Sequence, residues 1–321
     1  MHSSVAKCGL LIGCLLSVLQ MRASGPIACS KLEGQTSNDL VTLLNGIIKR
    51  HYQLTYKDAW AYNTRIGIDS KGYIVDMYSD CSLLSTKHCD DKSYDTDEFC
   101  TCYSREHALP KSWWGGSEDV PMFTDVVHLL PIDNATNAKR SYYPYGEPTS
   151  NISWSNEMGA KLGKSYAYGS LDYVFYPNPE YLGDIARIYF YMITCYGNVN
   201  FTSNAQARRV MQYQNGVASF KPAFLTLLLK WHRQDPVSDF ERKRNDKIES
   251  VQSNRNPFVD YPELVEYIWG NKKGQPFECV KDNLPTTNQE PNNNIFLQNG
   301  HLYIEYNNQI YNILSKTIKK L

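Results

Sequence analysis

The sequence predicts an α+β fold on three observations. Separate segments carry helical apolar periodicity, shorter apolar runs between them have strand character, and 42% of the 321 residues are apolar, enough to bury a core. Only 21% of the residues are charged, and 33 Lys and Arg balance 33 Asp and Glu. That composition excludes a chain that is mainly disordered. No apolar run after residue 25 approaches the roughly 18 residues of a bilayer span, which excludes a mature membrane-spanning protein. Zero net charge removes the simplest argument for nucleic-acid binding, so any such activity must rest on local basic groups.

The elements follow in chain order. Residues 1–24 read as a secretory signal peptide, with Lys7, an apolar run from Cys8 to Leu19 and small residues at Ala23, Ser24 and Gly25. Leu11-Ile12-Gly13-Cys14 loosely fits a lipoprotein box but sits too early in that run. Cleavage near Ala23 or Ser24 leaves a mature charge of −2, because Lys7 and Arg22 are lost. The chain is then expected to be secreted or periplasmic. Residues 37–50 form an amphipathic helix carrying Leu40, Leu43, Leu44, Ile47 and Ile48 on one stripe. Residues 73–78 read as a strand, and 79–104 as a loop without sustained periodicity.

Nine cysteines become seven after leader removal, and Cys81, Cys89, Cys100 and Cys102 cluster within that loop. In an exported chain such a cluster reads as disulfides. The favoured pairs are Cys81 with Cys100 and Cys89 with Cys102, of the three pairings that four cysteines allow. The odd total leaves a free thiol, placed at Cys195 in an apolar helical stretch.

Residues 182–196 are apolar on nearly every face, which predicts a buried helix. Further helices are predicted over 220–233, after the Ser238/Glu241 capping box, and from Pro262 to Gly270. The main domain is expected to occupy 25–270. Beyond it, 271–321 reads as a Pro/Asn-rich linker and a short β-rich tail turning at Asn299-Gly300, either similar to a shortened C-terminal sorting tail or an ordinary hairpin.

The residues that can carry chemistry are few. Glu106-His107 couples a carboxylate able to hold a hard cation with an imidazole able to take a proton from water. Adjacent strand residues point to opposite faces, so the two serve one site only where the strand ends, and Pro110 supplies an end. Downstream come a strand-like Val126–Leu130, a Pro131 stop, and a short polar helix at 134–141 containing Asn137, whose amide oxygen suits Mg²⁺ or Ca²⁺.

These motifs together resemble the endonuclease I family of exported, non-specific nucleases with a ββα-metal (His-Me finger) active site. The matching residues are Cys102-Tyr103-Ser104-Arg105-Glu106-His107, Pro110-Lys111-Ser112-Trp113, Asp125-Val126-Val127-His128-Leu129-Leu130-Pro131, and Asn137 six residues on. Later segments at 161–163, 183–192 and 228–269 extend the resemblance over roughly 37–270. It implies that His107 is the general base, that Glu106 and Asn137 hold Mg²⁺ (or Ca²⁺ or Mn²⁺), and that the substrate is DNA, RNA or both. The chain is expected to act as a monomer.

Departures from the family pattern are also visible. Ser104 stands where Asn is common, and Val127 replaces the first His of a pair, leaving His128, for which a core role is weighed against a catalytic one. No Arg lies between 106 and 139, so Arg140 and Arg187 are the candidates for a phosphate contact, against buried ion pairing. The run Arg242-Lys243-Arg244 with Lys247 and Arg255 could bind phosphates but is flanked by acids that favour a solvated helix. Tyr142, Tyr143 and Tyr145 could stack on bases. Two alternatives remain: a ribonuclease restricted to RNA, and a secreted binding protein without catalysis.

Overall fold

The computed structural model describes residues 25–89 and 98–279, together with strands within 294–319. The signal-peptide segment, residues 90–97 and the Asn299-Gly300 turn lie outside the described residues. The chain divides into two units, Met1–Phe277 and Glu278–Leu321.

The first unit opens with helices α1 (Cys29–Leu32), α2 (Ser37–Ile48) and α3 (Tyr56–Ile66). Leu40, Leu44 and Ile48 of α2 are buried, as their one-sided spacing predicts. Strand β1 (Tyr103–His107) pairs antiparallel with β2 (Leu129–Asp133), and α4 (Asn134–Arg140) follows without a linker. A three-stranded antiparallel sheet comes next, in the order β3 (Ser150–Ser155), β4 (Lys161–Ser165) and β5 (Asp172–Tyr176). Then come α5 (Leu182–Cys195), α6 (Ala205–Val210), the hairpin β6 (Met211–Gln214) and β7 (Val217–Phe220), and α7 (Pro222–Gln234). Helices α8 (Asp239–Gln252), α9 (Pro257–Asp260) and α10 (Leu264–Ile268) complete the unit.

Helix α5 is the centre of the core, with all 14 residues buried. It packs against α7, α2 and α9. Asn45 of α2 donates to the carbonyls of Thr194 and Cys195 (2.8 and 3.0 Å), closing the end of α5 where C=O groups lack helical partners. Cys195 is buried and free. The Ser238 hydroxyl caps α8 by accepting from the Glu241 N–H at 3.1 Å. Only that half of the capping box forms, because the Glu241 carboxylate turns to Arg187 instead.

Several expectations are corrected. Residues 73–78 form only isolated bridges, Tyr73 to Leu84 and Ile74 to Ile68. The Asp76 carboxylate accepts from the Tyr78 and Ser79 N–H groups (2.8 and 3.0 Å), a local alternative to strand pairing. Strand β2 starts three residues later than Val126 and runs through Pro131, which faces Arg105. In a two-stranded ladder β2 has an unpaired edge where a missing N–H is harmless. The β3–β5 sheet and the β6–β7 hairpin were not foreseen. Asn215 and Gly216 turn the hairpin with φ of 52° and 79°, the positive values that a two-residue hairpin loop needs. The helix expected over 262–270 is the shorter α10.

The loop before β1 is crosslinked as favoured: Cys81 to Cys100 and Cys89 to Cys102, with Cα separations of 5.0 and 5.2 Å. Cys29 and Cys279 are disulfide-bonded as well. The second unit holds four antiparallel strands, β8 (Asn294–Gln298), β9 (His301–Tyr306), β10 (Gln309–Asn312) and β11 (Ile318–Lys319), in sequential order. No helix among the described residues is long and apolar enough to cross a membrane.

The two crosslinks at the mouth of β1 close spans of 19 and 13 residues. Loops of that size contribute about 3 kcal/mol each by restricting the unfolded chain. Reduction is therefore expected to lower the thermal midpoint by roughly 5–10 °C per bridge. Scanning calorimetry with and without dithiothreitol checks this, and an unchanged midpoint would show that the bridges contribute nothing.

Candidate active site

The ββα motif is assembled by Asp133, the last residue of β2. Its Oδ2 accepts from the N–H and hydroxyl of Thr136 (2.8 and 2.9 Å), capping α4, while Oδ1 accepts from the Cys100 N–H at 2.8 Å. Its own N–H donates to Asp76 at 2.7 Å. One carboxylate thus fixes the start of the helix, the end of the strand and the crosslinked loop.

The strand and helix then meet face to face. Ser104 and Glu106 are two apart on β1, so their side chains leave the same side of the strand. Asn137 and Arg140 are three apart on α4 and share one side of the helix. The two faces interlock: Asn137 Nδ2 donates to Ser104 Oγ at 2.9 Å, and Arg140 Nε lies 3.0 Å from Glu106 Oε1. The Nε–H is off the line of a hydrogen bond, so that contact is an ion pair. Arg140 spends its other donors on the carbonyls of Ala108 (2.7 Å) and Ser141 (2.8 Å).

Glu106 is buried, and its Oε1 also accepts from the Tyr78 hydroxyl at 2.9 Å. Tyr78 in turn pairs with the hydroxyl of Tyr145. Burial pushes the Glu106 carboxyl up to about 7, against the opposing pull of Arg140 and Tyr78. Both side-chain contacts fall on Oε1, so Oε2 is engaged by no other side chain among the described residues, although the carboxylate also takes a backbone hydrogen bond from His107. Asn137 Oδ1 is likewise left over once Nδ2 is bound to Ser104. A carboxylate oxygen and an amide oxygen on interlocked faces, neither held by another side chain, form a donor set suited to a hard divalent cation.

His107 ends β1 and is half-buried. Its Nε2 lies 3.0 Å from the Phe123 carbonyl. A carbonyl only accepts, so Nε2 carries the proton and Nδ1 is the acceptor. The ring stacks on Phe123 (5.3 Å, 18°) and meets Trp114 and His128 edge-on (5.7 and 5.2 Å). Phe123 stacks in turn on Tyr56 of α3 (4.8 Å, 12°), and the Arg105 guanidinium covers the Tyr56 ring at 3.5 Å. Desolvation in this column, then the neighbouring His128, pushes the His107 imidazole down to about 3, so it is neutral at neutral pH.

Other expected residues lie elsewhere. His128 is fully buried with Nε2 on the Met122 carbonyl at 2.6 Å, the core role weighed for it. Arg187 is fully buried on α5, gripping Glu241 through Nε and NH2 (2.7 and 2.6 Å) and the Asp235 carbonyl at 2.8 Å. None of those partners belongs to the ββα motif. Arg140, also fully buried, is part of the motif but inside it. Arg244 is buried against the carbonyls of Val126, Val127 and Leu129, steadying the approach to β2. Arg255 pairs with Asp246, Glu249 and Asp260. Tyr145 is buried, whereas Tyr142 is 47% exposed. Tyr78, Phe123 and Tyr56 were not anticipated, since no local pattern marks a residue that acts through a distant partner.

A second group of metal-ligating types, His51, Asp125 and Cys195, has its ligand atoms within 4.8 Å of one another. The Asp125 oxygens already accept from Tyr191 and Tyr196 (2.7 Å each), Gln252 (2.8 Å) and the Val127 N–H (2.9 Å). Burial pushes the Cys195 thiol up, keeping it protonated. A cation there would have to displace those donors.

The fold and this motif define an α+β protein built on a ββα core. The sequence profile of endonuclease I matches residues 36–263, and the chain belongs to that family of nucleases. It is 30% identical over 241 residues to an extracellular ribonuclease of Bacillus subtilis (strain 168), covering 74% of this chain and 76% of the relative. A second extracellular ribonuclease, from Bacillus amyloliquefaciens, is 30% identical over 239 residues, 74% of this chain and 75% of the relative.

Breaking a buried ion pair from one side typically costs about 3–5 kcal/mol. Arg140→Met is expected to cost that much in urea unfolding, and clearly less when made in a Glu106→Gln background, where no buried charge is stranded. Equal costs in both backgrounds would show that the pair does not couple.

Proposed function

We propose that the chain is an exported, divalent-cation-dependent endonuclease that hydrolyses phosphodiester bonds of RNA and DNA with little sequence specificity. The observation that carries the reading is the pairing of a neutral histidine, its Nε2 tied to a carbonyl, with a neighbouring carboxylate whose second oxygen is clear of other side chains. His107 Nδ1 takes the proton from the attacking water. Glu106 Oε2 and Asn137 Oδ1 would hold the cation, Mg²⁺ with Ca²⁺ or Mn²⁺ as alternatives, which when bound offsets charge on the phosphate and the leaving oxygen. Ser104 orients the Asn137 amide, and Tyr78 with Arg140 fixes the Glu106 carboxylate in one pose. The Phe123–Tyr56 stack keeps the imidazole from turning.

The relatives' names support RNA as a substrate. A reaction that uses an external water needs no 2′-OH, so DNA is within reach of the same groups. Contacts to phosphate and sugar carry no base information, which accounts for low specificity. The leader-like N-terminus and the disulfides support export, and the protein is proposed to work as a monomer.

The deciding experiment treats total RNA and plasmid DNA with purified protein in Mg²⁺ or in EDTA. Cutting of both in Mg²⁺ and of neither in EDTA is expected. Cutting of RNA alone would favour the restricted ribonuclease, and no cutting at all would favour a binding protein.

His107→Ala is expected to lose roughly 10²- to 10⁴-fold in rate, the usual worth of a general base. Retention of more than about a tenth of the rate would remove that role. Glu106→Gln and Asn137→Ala should each raise the Mg²⁺ concentration needed for half-maximal activity, and the double variant should lose far less than the product of the two. Multiplicative losses at an unchanged midpoint would show that they share no cation.

A further inference from the structure

Beyond α4, the chain carries an aromatic surface that the hydrolytic groups do not use. Tyr142 is 47% exposed and stacks on Tyr143 with ring centres 5.6 Å apart and planes at 29°. Tyr143 leans on Tyr173 of β5 at 5.4 Å, and Lys164 of β4 brings its Nζ to 5.1 Å from the Tyr173 ring centre. The row is anchored at both ends. Trp113 Nε1 donates to the Tyr142 carbonyl at 3.1 Å, and Arg209 donates to the Tyr173 carbonyl at 2.7 Å.

We propose that Tyr142, Tyr143 and Tyr173 with Lys164 form a stacking platform for unpaired bases, which makes single-stranded nucleic acid the preferred substrate of the nuclease; this deepens, and rests on, the function proposed above. Every base offers a flat face, so ring stacking is indifferent to sequence, in keeping with a non-specific enzyme. In a duplex those faces are covered by neighbouring pairs and only base edges are reachable. A row of tyrosine rings therefore gains contact with an unpaired strand that a duplex cannot provide.

The charges agree. Lys164 supplies a cation for the backbone of a stacked strand. The acid beside it, Asp172, is already engaged by Gln206 (2.8 Å) and Arg209 (3.6 Å), which offsets its repulsion of phosphate. Position agrees as well. Tyr142 is five residues beyond Asn137, so no more than about 18 Å of chain separates them, a span of a few nucleotides.

The test measures anisotropy of a short fluorescent single strand and of a hairpin duplex of the same composition, in EDTA so that neither is cut. Wild-type protein should bind the single strand more tightly. Tyr142→Ala and Tyr143→Ala should each weaken that binding by roughly 5- to 100-fold, with duplex binding changed by about twofold or less. Tyr142→Phe should keep wild-type affinity, because the ring and not the hydroxyl stacks, and this variant remains informative if an alanine variant folds poorly. Lys164→Gln should reduce the salt slope of single-strand binding by about 1. Equal losses on both ligands, wild-type preference for the duplex, or Tyr142→Phe as damaging as Tyr142→Ala would each overturn the platform. Selective single-strand binding through these rings by a protein that cuts nothing in Mg²⁺ would overturn the nuclease reading and leave the platform standing. Cutting that persists with ring variants indifferent would do the reverse.

Discussion

The buried contact between Glu106 and Arg140 sets the geometry on which the rest of the site depends. It joins the end of β1 to the end of α4. The same guanidinium holds the carbonyls that leave both elements, Ala108 and Ser141. Apolar side chains of matching volume could stabilise such an interface as well or better. What they could not provide is a second carboxylate oxygen, held still and clear of other side chains. Stability alone does not account for a charge in this position; the proposed role of that oxygen as a cation ligand does.

On the other side of the strand the constraint is of a different kind. His107 is confined by rings and one carbonyl rather than by charges, and its column reaches through Phe123 to Tyr56 on α3. The two adjacent residues are thus prepared by opposite means: the acid is satisfied on one oxygen by ion pairing and a tyrosine hydroxyl, the base is stripped of water until it is neutral. In the proposed reaction, a strand that ends at His107 would let both serve one site although their side chains depart from opposite faces.

How much of this was legible follows from sequence separation. The ββα motif lies in one stretch, and its signals are local: the Glu106-His107 pair, a Pro after the histidine, and the short polar helix that carries Asn137. Helix α5 was legible because apolar residues all round have no other use. Residues 73–78 read as a strand from their apolar, β-branched and aromatic content, but Asp76 binds the backbone just ahead of it and wins over pairing. The sheet at β3–β5 begins with a strand exposed along most of its length, so no apolar period marks it. Arg187 could be weighed as a phosphate contact because its true partner, Glu241, is 54 residues away on α8. Tyr78 is 28 residues from the carboxylate it holds, and nothing near it in the chain predicts that bond.

The position of the disulfides bears on where the chain can be harmless. Cys102 is next to the first residue of β1, and Cys100 donates its N–H to the aspartate that caps α4. The scaffold that brings Glu106, Asn137 and His107 into register is therefore clamped at its entrance by bonds that a reducing compartment does not sustain. A polypeptide still inside the cell that made it would carry the full set of reactive side chains without the clamp that arrays them. For the proposed nuclease, oxidation on leaving would then act as an arming step.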